Sequence, residues 1–417
     1  MRHLFVIPGW YPHRPCYPLE GDYIRQQAEA IGDLLAGVAV TLSLWDQGRG
    51  DVSFGHLRKS PRCVLGGLVP RPIETALAPN VIEQRTPVRA WNPRFAGGNR
   101  MAILRANRIN LERASARWGR PDILHAHVSY PAGWMAMQLS REQSIPYVLT
   151  EHMGPFPLSY FKTHDGSLNP LLREPLANAN ATIAVSPSLA DQIESFGLDR
   201  PRFIPNLVDE RKYRAAPART DETFTFLTLS KLSTKKGILD LIEAISLLRA
   251  RLEPRDWERV RFHIGGDGPA NENKKLRGAA DERGLARSIT WLGLLPVDRA
   301  RAEYESCDCY VLASHHESFG IVLVEALASG RPVIATRCGG PETIVNDSNG
   351  LLVAIQDPEG LSKALETMLN RARRYDPQRL HAEFMDRYSR SAVVGALDSV
   401  YEEVLAREAS AARRTPS

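Results

Sequence analysis

The sequence predicts an α/β protein of two Rossmann-like, doubly wound domains, and three observations predict it. A chain of 417 residues with 43% hydrophobic content carries enough apolar material for two sizeable cores. Short apolar runs that end in polar or glycine-rich loops recur through both halves, the pattern of parallel strands joined by crossover helices. Between the halves, Arg211 to Thr223 is polar and rich in Arg, Ala and Pro, as a linker is. The expected division is an N-terminal domain over 1–209, a hinge over 210–223, a C-terminal domain over 224–388, a last helix over 389–407 and a disordered tail over 408–417.

Composition narrows the function. The 53 basic residues against 48 acidic ones leave +5, too mild and too dispersed for a nucleic-acid partner. Five cysteines (Cys16, Cys63, Cys307, Cys309, Cys338) are odd in number, and Cys307-Asp-Cys309 has the wrong spacing for zinc or a redox pair, so they read as reduced thiols of a cytosolic protein. The apolar patch Leu4 to Ile7 stops at Pro8, too short for a signal peptide, and no run reaches the eighteen or so residues of a membrane span.

In order, His3 to Ile7 reads as a first buried strand, followed by the long loop Pro8 to Gly21 and a helix rich in Gln and Ala. Gly21 reads equally as a turn glycine or as a point of close backbone approach to a ligand. Residues 37 to 46 form a second strand. From about 48 to 100 periodicity is poor, and Trp91, Arg94 and Phe95 read either as an acceptor-facing grip or as a solvated loop with packed aromatics. From Arg85 to Arg120 nine arginines stand against the single acid Glu112, a patch suited either to an anionic membrane surface or to solvent. Asp122 to His127 and Pro146 to Thr150 are strands whose ends carry His127 and, beyond Glu151, His152. Such ends line the ligand crevice of an open parallel sheet. Ala181 to Val185 is a further strand, and Ser186 caps the helix after it.

The second half opens with the strand Thr225 to Leu229 and the loop Ser230 to Gly237. Nine of the chain's 53 basic residues are lysines, and three of those nine lie between Lys231 and Lys236, which singles this loop out as a seat for a diphosphate. Gly266-Asp-Gly268-Pro269 is a turn into a helix, and Ile289 to Leu292 is a strand leading into Gly293-Leu294-Leu295-Pro296. Ser314 to Thr336 reads as the centre of the chain. Strand Val311 to Ala313 leads into a loop with Glu317, then a helix with Ser318 as its N-cap, Gly320 in its first turn, Glu325 within its apolar run and Gly330 as its stop, then a strand from Pro332 to Ala335. Free amides at such a helix start favour an anion. Two acids beside a phosphate seat need another partner, and sugar hydroxyls supply one. At about 1.5 Å rise per residue the acids stand roughly 10–12 Å apart, near the length of a sugar diphosphate with its ribose. The carboxylate pair of a retaining glycosidase needs only about 5–5.5 Å.

Glu317, seven residues, Glu325, together with Lys236 and Gly339-Gly340-Pro341-Glu342, resembles the motif set of the retaining nucleotide-sugar glycosyltransferases of family 4, and Ile7-Pro8-Gly9-Trp10-Tyr11-Pro12 with Gly21 resembles its polysaccharide-building branch. The resemblance implies the GT-B fold, two Rossmann-like domains facing across a cleft, with the last helix crossing back to the first domain. It implies that Glu317 holds the transferred sugar, that Phe319, Gly320 and Ile321 offer backbone amides, and that Glu325 holds the ribose. Lys231 and Lys236 bind the diphosphate, with Lys231 standing where the family usually has Arg and so lacking its fork. Gly21 lies against donor and acceptor, His152 touches the donor sugar, and Leu295 lies where backbone groups read the base. His127 and Gly268 are further candidates. The catalytic set is thus Glu317, His152 and Lys236. The expected activity is metal-independent, retaining transfer from a UDP- or GDP-sugar to a saccharide or lipid-linked saccharide, with no permanent cofactor, in the cytoplasm, either free or peripheral at the inner face of the cytoplasmic membrane. A nucleotide-sugar epimerase and a non-catalytic nucleotide-sugar-binding subunit are the alternative readings.

Overall fold

In the computed structural model the described residues are 1–9, 22–45, 72–88, 100–217 and 222–414. They divide into two compact units: unit 1 is Met1–Val185, Ala190–Leu207 and Val393–Ser417, and unit 2 is Ser186–Leu189 and Val208–Ala392. Each is built on a mainly parallel sheet, so the two α/β domains that the sequence predicts are present.

Unit 1 contains β1 (Arg2–Pro8), β2 (Val38–Leu44), β3 (Ile73–Ala78), β4 (Val81–Arg85), β5 (Ile123–His127), β6 (Tyr147–Glu151), β7 (Ala181–Ala184) and β8 (Arg202–Phe203), in the order β3-β4-β2-β1-β5-β6-β7-β8. Among the described strands of this unit only β3 pairs antiparallel, with β4. This pair occupies the stretch where the sequence shows no strand, because β3 is largely exposed and lacks a buried apolar pattern. Trp91, Arg94 and Phe95 lie outside the described residues, as do Gly21, Cys16 and Cys63. Strands β5 and β6 are buried at every position, as strands covered on both faces are. Val393, Val394, Leu397, Val400, Tyr401 and Val404 of the last helix join the core of this unit with Leu4, Val6, Val40 and Ile123. That helix runs from Arg390 to Arg414, so most of the stretch expected as a disordered tail is helical.

Three histidines form a buried column in unit 1. The rings of His125 and His127 stack at 4.4 Å and those of His127 and His152 at 5.2 Å, while His127 Nδ1 lies 2.9 Å from His152 Nε2. His125 is held by the Tyr401 hydroxyl at 2.7 Å and by Thr150 Oγ1 at 2.8 Å. Burial lowers the pKa of His125 to about 3 and that of His127 well below its ordinary value. Burial, with the charge of His125 adding to it, lowers His152 to about 3. The β6 end that carries His152 is fixed by Glu151, a fully buried carboxylate that accepts the backbone N–H groups of Ser129, His152 and Met153, each at 2.8 Å, and the Ser129 hydroxyl.

Unit 2 contains β9 (Phe224–Leu229), β10 (Val260–Gly265), β11 (Ile289–Gly293), β12 (Cys309–Leu312), β13 (Val333–Thr336) and β14 (Gly350–Val353), all parallel, in the order β11-β10-β9-β12-β13-β14. The order reverses between β9 and β12, so the loops leaving these two neighbours diverge from one switch point. Their meeting depends on Gly237, whose φ of 65° is left-handed and whose missing Cβ would lie 1.8 Å from the carbonyl oxygen of Ala313. The stretch read as a hinge is instead fastened within unit 2. Val208 N–H bonds to Tyr388 O at 3.0 Å, Ala216 N–H to Ser329 O at 3.1 Å, and Arg331 to Pro217 O at 3.0 Å. Residues 218–221 lie outside the described residues. Cys307, Cys309 and Cys338 are buried free thiols, and burial pushes the Cys338 thiol up to about 12.

Two outcomes are expected. An unfolded chain protonates its histidines near pH 6.5, whereas the buried His125 and His152 stay neutral to about pH 3. The folded-state pKa is depressed, so stability is complete above about pH 6.5 and falls on acidification by about 1.4 kcal/mol per pH unit per histidine. Thermal melting from pH 7.5 to 5.5 should show a falling midpoint, with a shallower fall in His125→Gln; a midpoint flat over this range contradicts the analysis. Gly237→Ala should cost about 2–4 kcal/mol, read by urea unfolding, since it adds both strain and a backbone clash.

Candidate functional site

In unit 2 the β9 and β12 loops bring a cation and a carboxylate together. Lys236 Nζ donates to Glu317 Oε1 at 2.6 Å, and the Ser314 hydroxyl donates to the same oxygen at 2.7 Å. Glu317 Oε2 has no donor among the described residues, and the side chains of Glu317 and Lys236 keep 16% and 29% of their surface, so a ligand can reach both. The backbone of Glu317 is pinned too, its N–H bonding to Cys338 O at 3.1 Å and its carbonyl accepting Gly340 N–H at 2.8 Å. Gly340 permits this, because a Cβ there would lie 2.3 Å from Phe319 O. The loops are joined again by His315, whose N–H bonds to Lys235 O at 3.0 Å and whose Nε2 lies 2.6 Å from Asp240 Oδ2 in the following helix, Ile238–Arg251. Lys231 is exposed and makes no ion pair among the described residues.

The helix after Glu317 is Ile321–Ala328, and its N-cap is Gly320 at φ 100°, with no side chain capping the first amides. This corrects Ser318 as the cap. A left-handed turn is needed there, and only glycine adopts it without strain. It also means that residues 317 to 320 are not helical, so the axial spacing deduced for the two acids applies only from Ile321 onward. Uncapped amides in that first turn, which follows β12 by a short loop, favour an anion. Phe319 is buried, its ring 6.0 Å from Tyr388, which leaves its backbone rather than its side chain for a ligand. Ile321 is half-buried. Gly339 N–H is already taken by the Glu342 carboxylate at 3.0 Å.

Glu325 sits one turn into this helix between Val324 and Ala326, both fully buried. Tyr213 donates to its Oε1 at 3.1 Å and Tyr304 to its Oε2 at 2.9 Å. Burial raises the Glu325 pKa, and the two hydroxyls oppose that rise. Leu295 is half-buried just beyond β11, beside the exposed Leu294. Gly268 is a packing glycine, since a Cβ there would lie 2.0 Å from Leu232 O.

Unit 2 thus brings together Glu317, Lys236, Gly320 and Ile321 at one switch point, with Glu325 on the same helix. His127 and His152 belong to unit 1, where His152 is 7% exposed and packs on Tyr23 at 4.8 Å. Sequence reasoning missed Ser314, His315, Asp240, Tyr213, Tyr304 and Glu151. Ser314 carried a signal, a hydroxyl just past a strand end and three residues before the acid; the others are joined only by the fold. Of the nine arginines of the patch, Arg108 pairs with Glu142 at 2.5 Å, Arg117 with Glu74 at 2.8 Å, and Arg120 binds the carbonyls of Gln143 and Ser144. No helix among the described residues is long and apolar enough to cross a membrane.

Comparison with known proteins identifies the family and the fold. Residues 68–212 match the family model described as Glycosyltransferase Family 4, and residues 223–371 match that described as Glycosyl transferases group 1. The chain is 30% identical over 286 residues to an uncharacterized glycosyltransferase of Methanocaldococcus jannaschii, covering 68% of this chain and 76% of that protein. It is 26% identical over 347 residues to the lipopolysaccharide core biosynthesis glycosyltransferase LpsE of Rhizobium meliloti, covering 77% and 91%. Among solved structures, Anabaena HepE in complex with UDP aligns with a TM-score of 0.68 at 18% identity, covering 97% of this chain and all of that one. Fold, motifs and family models agree, and the chain belongs to glycosyltransferase family 4, as a glycosyltransferase of GT-B fold.

Proposed function

We propose that the protein moves a sugar from a nucleotide diphosphate sugar, a UDP- or GDP-sugar, to a hydroxyl of a saccharide or lipid-linked saccharide, with the anomeric configuration retained, in the synthesis of a cell-surface polysaccharide or glycolipid. The observation that carries the reading is the Lys236–Glu317 pair beside the uncapped start of helix Ile321–Ala328. Its cation and amides suit a diphosphate, while the open Oε2 of Glu317 suits a sugar hydroxyl. LpsE, named for lipopolysaccharide core biosynthesis, and HepE, solved with UDP, support the substrate classes.

In this reading the bond from the anomeric carbon to the phosphate oxygen breaks, and the acceptor oxygen bonds to the same face of that carbon. The acceptor proton passes to the departing phosphate oxygen, so no enzyme nucleophile is needed. Lys236 and the helix amides stabilise the charge growing on the diphosphate, a preorganised electrostatic role that replaces a divalent ion. Lys231 adds a second, solvated cation. Glu317 orients the sugar, and Glu325 receives the ribose. The protein is proposed to act at the inner face of the cytoplasmic membrane.

A donor panel with mass detection of the product should give glycosyl transfer, with the product anomer retained by NMR and the rate unchanged by EDTA. An inverted product or loss of activity with EDTA contradicts the mechanism, and conversion of the donor without acceptor, beyond slow hydrolysis, favours an epimerase. Glu317→Gln should lower kcat by about 10²–10³-fold while UDP affinity, read by calorimetry, changes little. Lys236→Ala should reduce both.

A further inference from the structure

We propose that Tyr213 and Tyr304 are positioning residues that hold the Glu325 carboxylate in the orientation that receives the two ribose hydroxyls of the nucleotide. The proposal rests on the donor-binding reading above and deepens it.

The argument begins with an acid in an apolar place. Glu325 lies among Leu323, Val324, Ala326 and Leu327, all fully buried, on a helix of only eight residues. A carboxylate there loses much of its water and needs donors. Each oxygen receives one phenol hydroxyl, Oε1 from Tyr213 and Oε2 from Tyr304. One donor per oxygen fixes the rotation of the carboxylate plane and leaves each oxygen a further acceptor site. Two acceptor sites side by side on one plane match the adjacent hydroxyls of a ribose. A lysine or arginine would have neutralised the carboxylate, whereas phenols orient it and leave its charge for the ligand.

The two phenols come from separate segments. Tyr304 is fully buried in helix Val297–Ser306, its ring 5.5 Å from Tyr310. Tyr213 comes from the strap Val208 to Pro217, which Arg301 also fastens by bonding to Lys212 O at 3.2 Å. Around Glu325 the other ionisable groups are Lys212, Arg301 and Asp209 on the strap side and Tyr310 on the β12 side. Burial first, and then the negative charge of Glu325, raise the pKa of both Tyr304 and Tyr213, so both remain protonated donors.

The test uses the full chain and UDP as probe, with Tyr213→Phe, Tyr304→Phe and Glu325→Ala, each confirmed as folded by thermal melting; if Tyr304→Phe does not fold, Tyr213→Phe, whose residue is not in the core, carries the test alone. Calorimetry should show UDP affinity about threefold to tenfold lower for each Phe variant, and no further loss when Tyr213→Phe is added to Glu325→Ala. The Glu325 carboxyl, followed by ¹³C NMR without nucleotide and assigned by its disappearance in Glu325→Ala, should titrate at higher pH in each Phe variant, because a carboxylate that loses a donor holds its proton more tightly. An unmoved titration, or an equal loss of affinity from Tyr213→Phe with and without Glu325, overturns the proposal. A titration that moves while Glu325→Ala binds UDP as wild type does leaves the orienting role standing and overturns the ribose assignment of the donor reading instead.

Discussion

The close approach of Gly237 to Ala313 is the constraint on which the site depends. A backbone carbonyl at the end of β12 occupies the space that any side chain at 237 would need. The β9 loop can therefore lie directly on the end of its neighbour strand, and Lys236 reaches Glu317 from the preceding position. His315 repeats the tie through Lys235 O and Asp240. Cation, carboxylate and helix amides are thus held by backbone geometry before any ligand arrives, which is how a site avoids reorganisation during reaction.

Both units keep ionisable groups in places where charge is expensive, and they manage the cost differently. Unit 1 leaves its histidine column uncharged and stacks it, with hydroxyls of Tyr401 and Thr150 closing one end. Glu151 in the same unit receives four donors, so its oxygens are already committed. Among the described residues Glu325 in unit 2 receives only two. Since each ionised carboxyl oxygen offers about two acceptor sites, Glu151 is saturated and structural, while Glu325 is left with capacity. That difference in donor count, more than burial, separates an acid that shapes a loop from one available to a ligand.

The α/β class and most strand positions were legible because parallel strands buried on both faces write continuous apolar runs, as in β1 and β12. The exposed edge strand β3 wrote no such run and was missed. Glu317, Lys236 and Glu325 were legible because each lies at a motif position in a loop or helix at a strand's carboxyl end. Their partners were not. Tyr213 lies 112 residues from Glu325 in sequence and Asp240 lies 75 from His315, and nothing local in either pair marks the contact. Ser318 misled for a simple reason: a serine before an apolar run scores as a cap, while the residue that enters the helix is Gly320 in a left-handed turn, which no side-chain pattern announces.

The strap shows why composition misjudged the linker. Arg, Pro and Ala around 211 to 217 resemble a flexible connection, yet Asp209 accepts from Arg211 N–H and pairs with its guanidinium at 2.9 Å, which closes a short turn, Glu210–Lys212. Val208 is bound to Tyr388, and Glu210 accepts Arg390 N–H at 2.8 Å, so the stretch entering unit 2 and the stretch leaving it are bound to each other. Polar side chains here satisfy backbone groups that solvent would otherwise take. A segment fixed in this way delivers Tyr213 to a defined point, and a single hydroxyl on it can then hold one oxygen of a half-buried carboxylate in place.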